Sequence, residues 1–279
     1  MRKLYTIAIM LILVFALAAC GGDNDGPGLG NFTAYVENDD APWAEAYLDI
    51  LTEKSALLTS DESYMFLDDG KIVVTEVFGN EAPELLYIYI PEDNPYCSRL
   101  MIMSYSDATG AVPVFDSIIN VMAGGGGNYC VFLTRGGKLI TYFSMYGEFS
   151  YFGFWSIEPM SSGELADLYD PYNISFFDYE NRTNALLFYN SYPDYDNFDE
   201  FDDWVLSYMI DGAEISEDEF YERAAEIMGD IDRVLFHSTI TDVDEYGLYE
   251  RDDLWKVITP FTAESMTYKE AVSWLETLV

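Results

Sequence analysis

Between Ser63 and Ile210 the chain is divided into short runs rich in β-branched and aromatic residues, each bounded by Gly or Asp turns. Ser63 to Leu67 and Ile72 to Phe78 flank Asp68-Asp69-Gly70-Lys71, and Asp-Gly between two such runs is a strong hairpin signal because it tolerates the positive φ angles of the turn. Leu85 to Ile90, Arg99 to Tyr105, Tyr129 to Thr134, Lys138 to Met145 and Phe149 to Ile157 continue the series. Most spacings are too short for the helical crossovers that parallel strands require, so neighbours pair antiparallel. In Leu85-Leu86-Tyr87-Ile88-Tyr89-Ile90 both faces are apolar or aromatic, which predicts a central strand covered on both sides.

Helical signals stand at the two ends of this region. Asp40 can cap a helix that has Pro42 in its first turn, with Trp43, Tyr47, Ile50 and Leu51 on one face and so able to cover the sheet. Ser216 with Glu219 forms a capping box ahead of Phe220, Ala224, Ile227 and Met228, and Gly229 fits the stop. Thr267 with Glu270 repeats the box ahead of Tyr268, Val272 and Leu275. A shorter helix is expected near Ser162 to Tyr169. The expected fold class is α+β: an antiparallel, aromatic-rich β-sheet meander with one N-terminal helix and two helices in the C-terminal region. Residues 41–279 suffice for a single domain with a real core.

The N-terminus carries a different message. Arg2 and Lys3 precede an uncharged apolar run from Leu4 to Ala19, ending at Leu17-Ala18-Ala19-Cys20. The run is shorter than the roughly 20 residues of a membrane-spanning helix. A secretory cut after Ala16-Leu17-Ala18 satisfies the small-residue rule, but a Cys directly after Ala19 resembles the lipobox of a bacterial lipoprotein signal peptide. The resemblance implies removal of residues 1–19 and lipidation at Cys20, with acyl chains that anchor the chain to the cell membrane on its extracytoplasmic side. Gly21 to Asp40 is rich in Gly, Asp and Asn, so residues 20–40 read as a flexible tether.

Fifty acidic residues against thirteen basic ones give a net charge of −37. Such a chain repels the phosphate backbone, which excludes nucleic acid as a partner, and repels anionic lipid heads, leaving the anchoring to the acyl chains. Disorder is excluded in turn by 16% aromatic and 50% hydrophobic residues. Cys97 and Cys130 either form a disulfide, in a compartment where one persists, or sit as two buried apolar thiols. Neither has a CxxC neighbour, which argues against redox catalysis and structural zinc.

Several stretches taken together, Trp43 to Leu51, Pro83-Glu84-Leu85-Leu86, Tyr129 to Leu139, and Tyr208-Met209-Ile210-Asp211-Gly212 running into Ile215 to Phe220, resemble a widespread, uncharacterised group of bacterial surface lipoproteins. Their pattern is a helix starting near a Trp, followed by a hairpin whose Asp-rich loop ends in Asp-Gly-x-Pro-Glu-Leu. The resemblance implies a cell-surface protein. Where that loop is intact its alternating oxygen ligands suit calcium. Here the corresponding positions are Glu76, Phe78, Asn80 and Glu81, so Phe stands at a ligand position and Glu replaces the turn Gly. Pro83-Glu84-Leu85 then reads as the start of the central strand.

Two further constellations bear on binding. Asp242, Asp244, Gly247, Glu250 and Asp253 partly match an EF-hand loop, with acids at positions one, three and twelve and Gly at six; Tyr246 supplies no carboxylate at five. This is the candidate calcium site, set against an ordinary acidic turn. Tyr192 to Trp204 interleaves six acids with Tyr195, Phe198 and Phe201. Tyr195, Phe198, Phe201 and Trp204 could stack a sugar ring while the acids accept its hydroxyls. The spacing of three among Phe198, Phe201 and Trp204 equally fits the core-facing side of a helix start.

Gly124 to Gly127 lacks the Lys-Ser or Lys-Thr of a phosphate loop, and no G-x-S-x-G elbow is present. His237 is the single histidine, too few for a zinc peptidase. The leading expectation is a non-catalytic binding or interaction module of the cell envelope, taking a glycan, a wall component or an envelope protein. The alternatives are a carboxylate-dependent hydrolase of surface polysaccharide, which needs two facing acids, and an acidic scaffold ordered by weak calcium binding.

Overall fold

The Trp43 segment forms helix α1 (Pro42–Glu53), which begins on its proline and buries Trp43, Ala44, Tyr47 and Leu51 along one stripe. Proline suits this first position because its missing N–H would have no intrahelical partner. A single turn, α2 (Ser55–Leu58), follows. The computed structural model describes residues 41–58, 71–80, 82–91, 97–121, 127–145, 150–159, 185–193, 204–210, 213–237 and 263–279. The N-terminal leader with Cys20, the tether, the first half of the Asp69-Gly70 hairpin, Glu81 and the Ser162 to Tyr169 segment lie outside these residues.

The described strands divide between two antiparallel sheets, where the sequence suggests one. The first is a four-stranded meander of β1 (Ile72–Thr75), β2 (Glu84–Tyr89), β3 (Cys97–Ser106) and β4 (Gly110–Val121) in that order. The second contains β5 (Gly127–Thr134), β6 (Leu139–Met145), β7 (Ser150–Ile157), β8 (Ala185–Pro193), β9 (Trp204–Ile210) and the short β10 (Ala213–Glu214) as consecutive neighbours. Helix α3 (Glu217–Gly229) then returns the chain to the opposite edge, where β11 (Ile231–His237) pairs antiparallel with β5.

Period-two alternation explains why the sheets stack. On β5, Tyr129, Val131 and Leu133 enter one core while Cys130 and Phe132 enter another. The first core lies between the sheets, where these side chains meet Val73, Leu86, Ile88, Leu100, Ile102, Phe115 and Ile119 of the four-stranded sheet. The second lies under α3, whose Phe220, Ala224 and Met228 pack on Phe132, Ile140, Tyr142 and Phe154. On β11 a register shift between Val234 and Phe236 lets the consecutive Leu235 and Phe236 both join the inter-sheet core.

The free face of the four-stranded sheet is covered by α1 and by α4 (Tyr268–Glu276). Tyr47 donates its hydroxyl proton to the Pro83 carbonyl at 2.7 Å, just ahead of β2, and the Trp43 and Trp274 rings lie 6.2 Å apart. The layers therefore run helix, sheet, sheet, helix. Strand β2 is covered on both faces, as its sequence requires, with α1 as one cover. Both C-terminal helices begin at the expected caps: Ser216 accepts from the Glu219 N–H, and Thr267 with Glu270 forms the complete reciprocal box.

A short strap joins the two sheets along one edge. The Glu264 N–H donates to the Val234 carbonyl of β11, while Met266 exchanges backbone hydrogen bonds with Ile72 of β1 at 2.7 and 3.1 Å. Beside it, Arg233 of β11 donates from Nε and Nη2 to the two Glu264 carboxylate oxygens, and from Nη1 to Thr75 Oγ1 of β1 at 3.1 Å. That fork holds the sheets in register with each other at one end of the sandwich.

Candidate functional site

At that end of the sandwich the ends of strands from both sheets frame a cleft of about 830 Å³. Its walls are the β1–β2 loop through Glu76, Val77, Phe78 and Gly79, the β5–β6 turn from Thr134 to Lys138, the exit of β7 at Ser156 to Pro159, and Asp232 with Arg233 at the start of β11. Its floor is the end of the inter-sheet core, where Val77, Leu133, Leu139 and Ile157 are buried and Phe78 packs against them half-buried. An apolar floor with a few charged groups at the rim is the ordinary build of a small-ligand site, and the volume falls within the roughly 300–1,000 Å³ of such sites.

Each wall is fixed by local chemistry. The β1–β2 loop wraps around Glu84, the first residue of β2 and 0% exposed. Its carboxylate accepts from the Val77 N–H at 2.8 Å, the Phe78 N–H at 3.4 Å and the Asn80 side-chain amide, which also donates to Ser104 at 3.0 Å. Burial nevertheless raises the Glu84 pKa above the ordinary range, against the lowering by those donors. The same burial, with the Glu84 charge beside it, pushes the Tyr47 hydroxyl strongly upward, so it stays a neutral donor. Gly79, at φ 71, supplies the positive φ that lets this loop turn back toward Glu84.

The β5–β6 turn carries Arg135 and Lys138 on either side of Gly136 and Gly137, with Gly137 at φ 75. The Lys138 N–H donates to Thr134 Oγ1 at 3.1 Å and the Arg135 N–H to the Asp230 carbonyl at 2.9 Å, so the turn is tied both to itself and to the end of α3. Both cationic side chains are exposed. Lys54, Arg99, Arg223 and Arg233 each form an ion pair, whereas Arg135 and Lys138 form none among the described residues. In a chain with about four acids for each base, that is the unusual feature of this rim.

No family model matches the chain, and neither the curated proteins nor the solved structures contain a match.

The residues singled out in the sequence fall elsewhere. Cys20, Tyr195, Phe198, Phe201, Asp242, Asp244, Glu250 and Asp253 lie outside the described residues. Trp204 opens β9, its backbone opposite Pro193 of β8, so it starts a strand and not a helix turn. Cys130 is a free thiol, fully buried in the core beneath α3, and burial raises its pKa well above that of an ordinary thiol. Of the two readings for this pair, the burial of Cys130 matches the apolar one, and the Cys97 side chain lies outside the described ones. His237 ends β11, half-buried and opposite Cys130 in register. In the degenerate loop, Val77, Phe78 and Asn80 turn donors onto Glu84, an arrangement that serves an anion where a calcium loop would turn oxygens inward. Among the described residues, no three His, Cys, Asp or Glu side chains converge on one point.

Sequence reasoning missed the cleft because its residues are scattered over four connections of two sheets. One signal was present: two of the thirteen basic residues bracket a Gly-Gly pair between two clear strands.

Proposed function

We propose that this chain is an extracytoplasmic lipoprotein, anchored through Cys20, that acts as a non-catalytic binding module of the cell envelope, with the cleft at the strand ends as its ligand site. The cleft carries the reading: it combines an apolar floor, charged rim groups and walls held by hydrogen bonds within rigid elements, which is what orients a small ligand or polymer segment without doing chemistry on it. The N-terminal pattern supports the location, since acyl chains on Cys20 would hold the domain beside the envelope components it binds. Burial raises the pKa of Glu84, yet that carboxylate is enclosed by its own loop and engaged by three donors, so it does not serve as a hydrolytic acid.

Two measurements test the two halves. Labelled fatty acid should enter the chain in cells and be lost in Cys20→Ala, which should also move the protein from the membrane to the soluble fraction; label retained in Cys20→Ala would refute the anchor. The full-length protein in detergent should sediment with isolated cell-wall material, and Glu158→Trp, which places a large ring at the exposed rim of the cleft, should abolish that. Sedimentation unchanged by Glu158→Trp, or no sedimentation by the unaltered protein, would refute the cleft as the site.

A further inference from the structure

We infer that the cleft takes an acidic saccharide, a glycan segment bearing uronate-type carboxylates, with the carboxylate on Arg135 and Lys138 and the sugar hydroxyls on the acids that line the same cleft. This deepens the reading of the cleft as a ligand site and rests on it.

A protein of net charge −37 has carboxylates to spare for its cations, yet Arg135 and Lys138 stand exposed at one turn with no ion pair among the described residues. Arg233, the third cation of the cleft, is already held bidentate by Glu264 and directs its remaining nitrogen at Thr75. Two cations on a glycine turn therefore remain for an anion brought by the ligand. An Arg offers a planar fork to a carboxylate and a Lys a mobile point charge, and the pair suits a single carboxylate approached from two sides.

The acids of the cleft decide which anion. Glu76, Glu158 and Asp232 line the same cleft, so a ligand that is only anionic, such as a phosphate, would meet three carboxylates for its two free cations. A cationic ligand would meet Arg135 and Lys138. A ligand that brings one carboxylate together with several hydroxyl donors satisfies both the cations and the acids, because ionised Asp and Glu are pure acceptors and sugar hydroxyls donate to them. The half-buried Phe78 and the exposed Pro159 supply apolar surface for the non-polar face of a sugar ring. The chain's long-range field repels acidic polymers, so contact needs a place where cations stand together, as Arg135 and Lys138 do.

The test uses the full-length protein in detergent and oligogalacturonate as the probe, titrated by calorimetry beside a neutral oligosaccharide of equal length. Saturable binding of oligogalacturonate is expected, with the neutral sugar at least tenfold weaker. The double variant Arg135→Gln with Lys138→Gln should lose at least tenfold in affinity while keeping its thermal midpoint, since both side chains are exposed; Lys269→Gln, an exposed cation on α4, should bind as the unaltered protein does. Equal affinity for the neutral sugar, or full affinity in the double variant, would overturn the inference. If oligogalacturonate fails to bind while wall material still sediments with the protein, the acidic-saccharide inference is wrong and the cleft reading stands. Displacement of wall material by a short acidic peptide alone would likewise overturn the saccharide and leave the cleft as the site. If both bindings fail, both are wrong.

Discussion

Glu84 concentrates the tension between burial and hydrogen bonding in this chain. Full burial favours its neutral form, whereas the N–H groups of Val77 and Phe78 and the amide of Asn80 favour the carboxylate, and burial wins. The consequence for stability has a definite sign. With the folded-state pKa raised above the ordinary 4.5, the folded chain holds a proton that the unfolded chain has already released within the window between the two values. Stability from this group therefore grows as pH falls through the raised value toward 4.5, and its full cost is present above that value. Other acids also titrate on that path, so the contribution of Glu84 is read as a difference. Glu84→Gln removes the titration while keeping one oxygen for Val77 and Phe78. Denaturant unfolding of both proteins between pH 7.5 and 5 should show the unaltered chain gaining more stability on acidification than the variant. Parallel pH profiles would contradict the placement of Glu84 as a buried, proton-seeking carboxyl.

At the scale of elements, the parts whose signal is local were legible in the sequence. The both-faces-apolar pattern of Leu85 to Ile90 and the paired caps of Ser216 and Thr267 each correspond to an observed feature, because alternation and capping are decided within a few residues. Strands β4 and β11 carry no such clear signal. In β4, Pro113 and Asp116 interrupt the apolar pattern, and both are accommodated at a sheet edge: Pro113 at a register shift, and Asp116 by accepting from Arg99 Nε at 2.8 Å and Tyr89 Oη at 3.1 Å. In β11 the bulge at Leu235 breaks the period of two. The division into two sheets, and with it the cleft, depends on which strand faces which across the core, a property carried by no single segment. Where the signal is local its energy can be tested locally. Thr267→Ala removes the acceptor for the Glu270 N–H at 3.2 Å and the hydroxyl that donates to the Glu270 carboxylate at 2.8 Å, while the reciprocal Thr267 N–H remains, so it should cost about 1 kcal/mol. Because α4 packs on α1 and follows the strap at Met266, the loss should appear in global unfolding and not only as fraying. Denaturant midpoints equal within error would show that tertiary packing alone holds the helix start.

For the whole molecule the governing quantity is the charge of −37, because the described ion pairs are few and several are exposed. Pairs such as Lys54–Glu53 and Arg223–Glu226 stand in solvent and contribute little, so salt removes little by screening them. The half-buried fork of Arg233 on Glu264 is screened less still. Opposing them is the mutual repulsion of fifty carboxylate side chains, which acts against the compact state and is weakened at every distance as the Debye length shrinks from about 30 Å at 0.01 M to about 8 Å at 0.15 M. Repulsion outweighs attraction in this balance. Raising sodium chloride from 0.01 to 0.15 M should therefore raise the thermal midpoint, by about 2–4 °C for each kcal/mol of repulsion relieved in a domain of this size. Most of the rise should be complete by 0.15 M, since beyond that only close neighbours remain unscreened, and choline chloride should match sodium chloride if screening is the cause. A midpoint that falls with salt would mean that the ion pairs, and not the acidic surface, set the electrostatic balance of the fold.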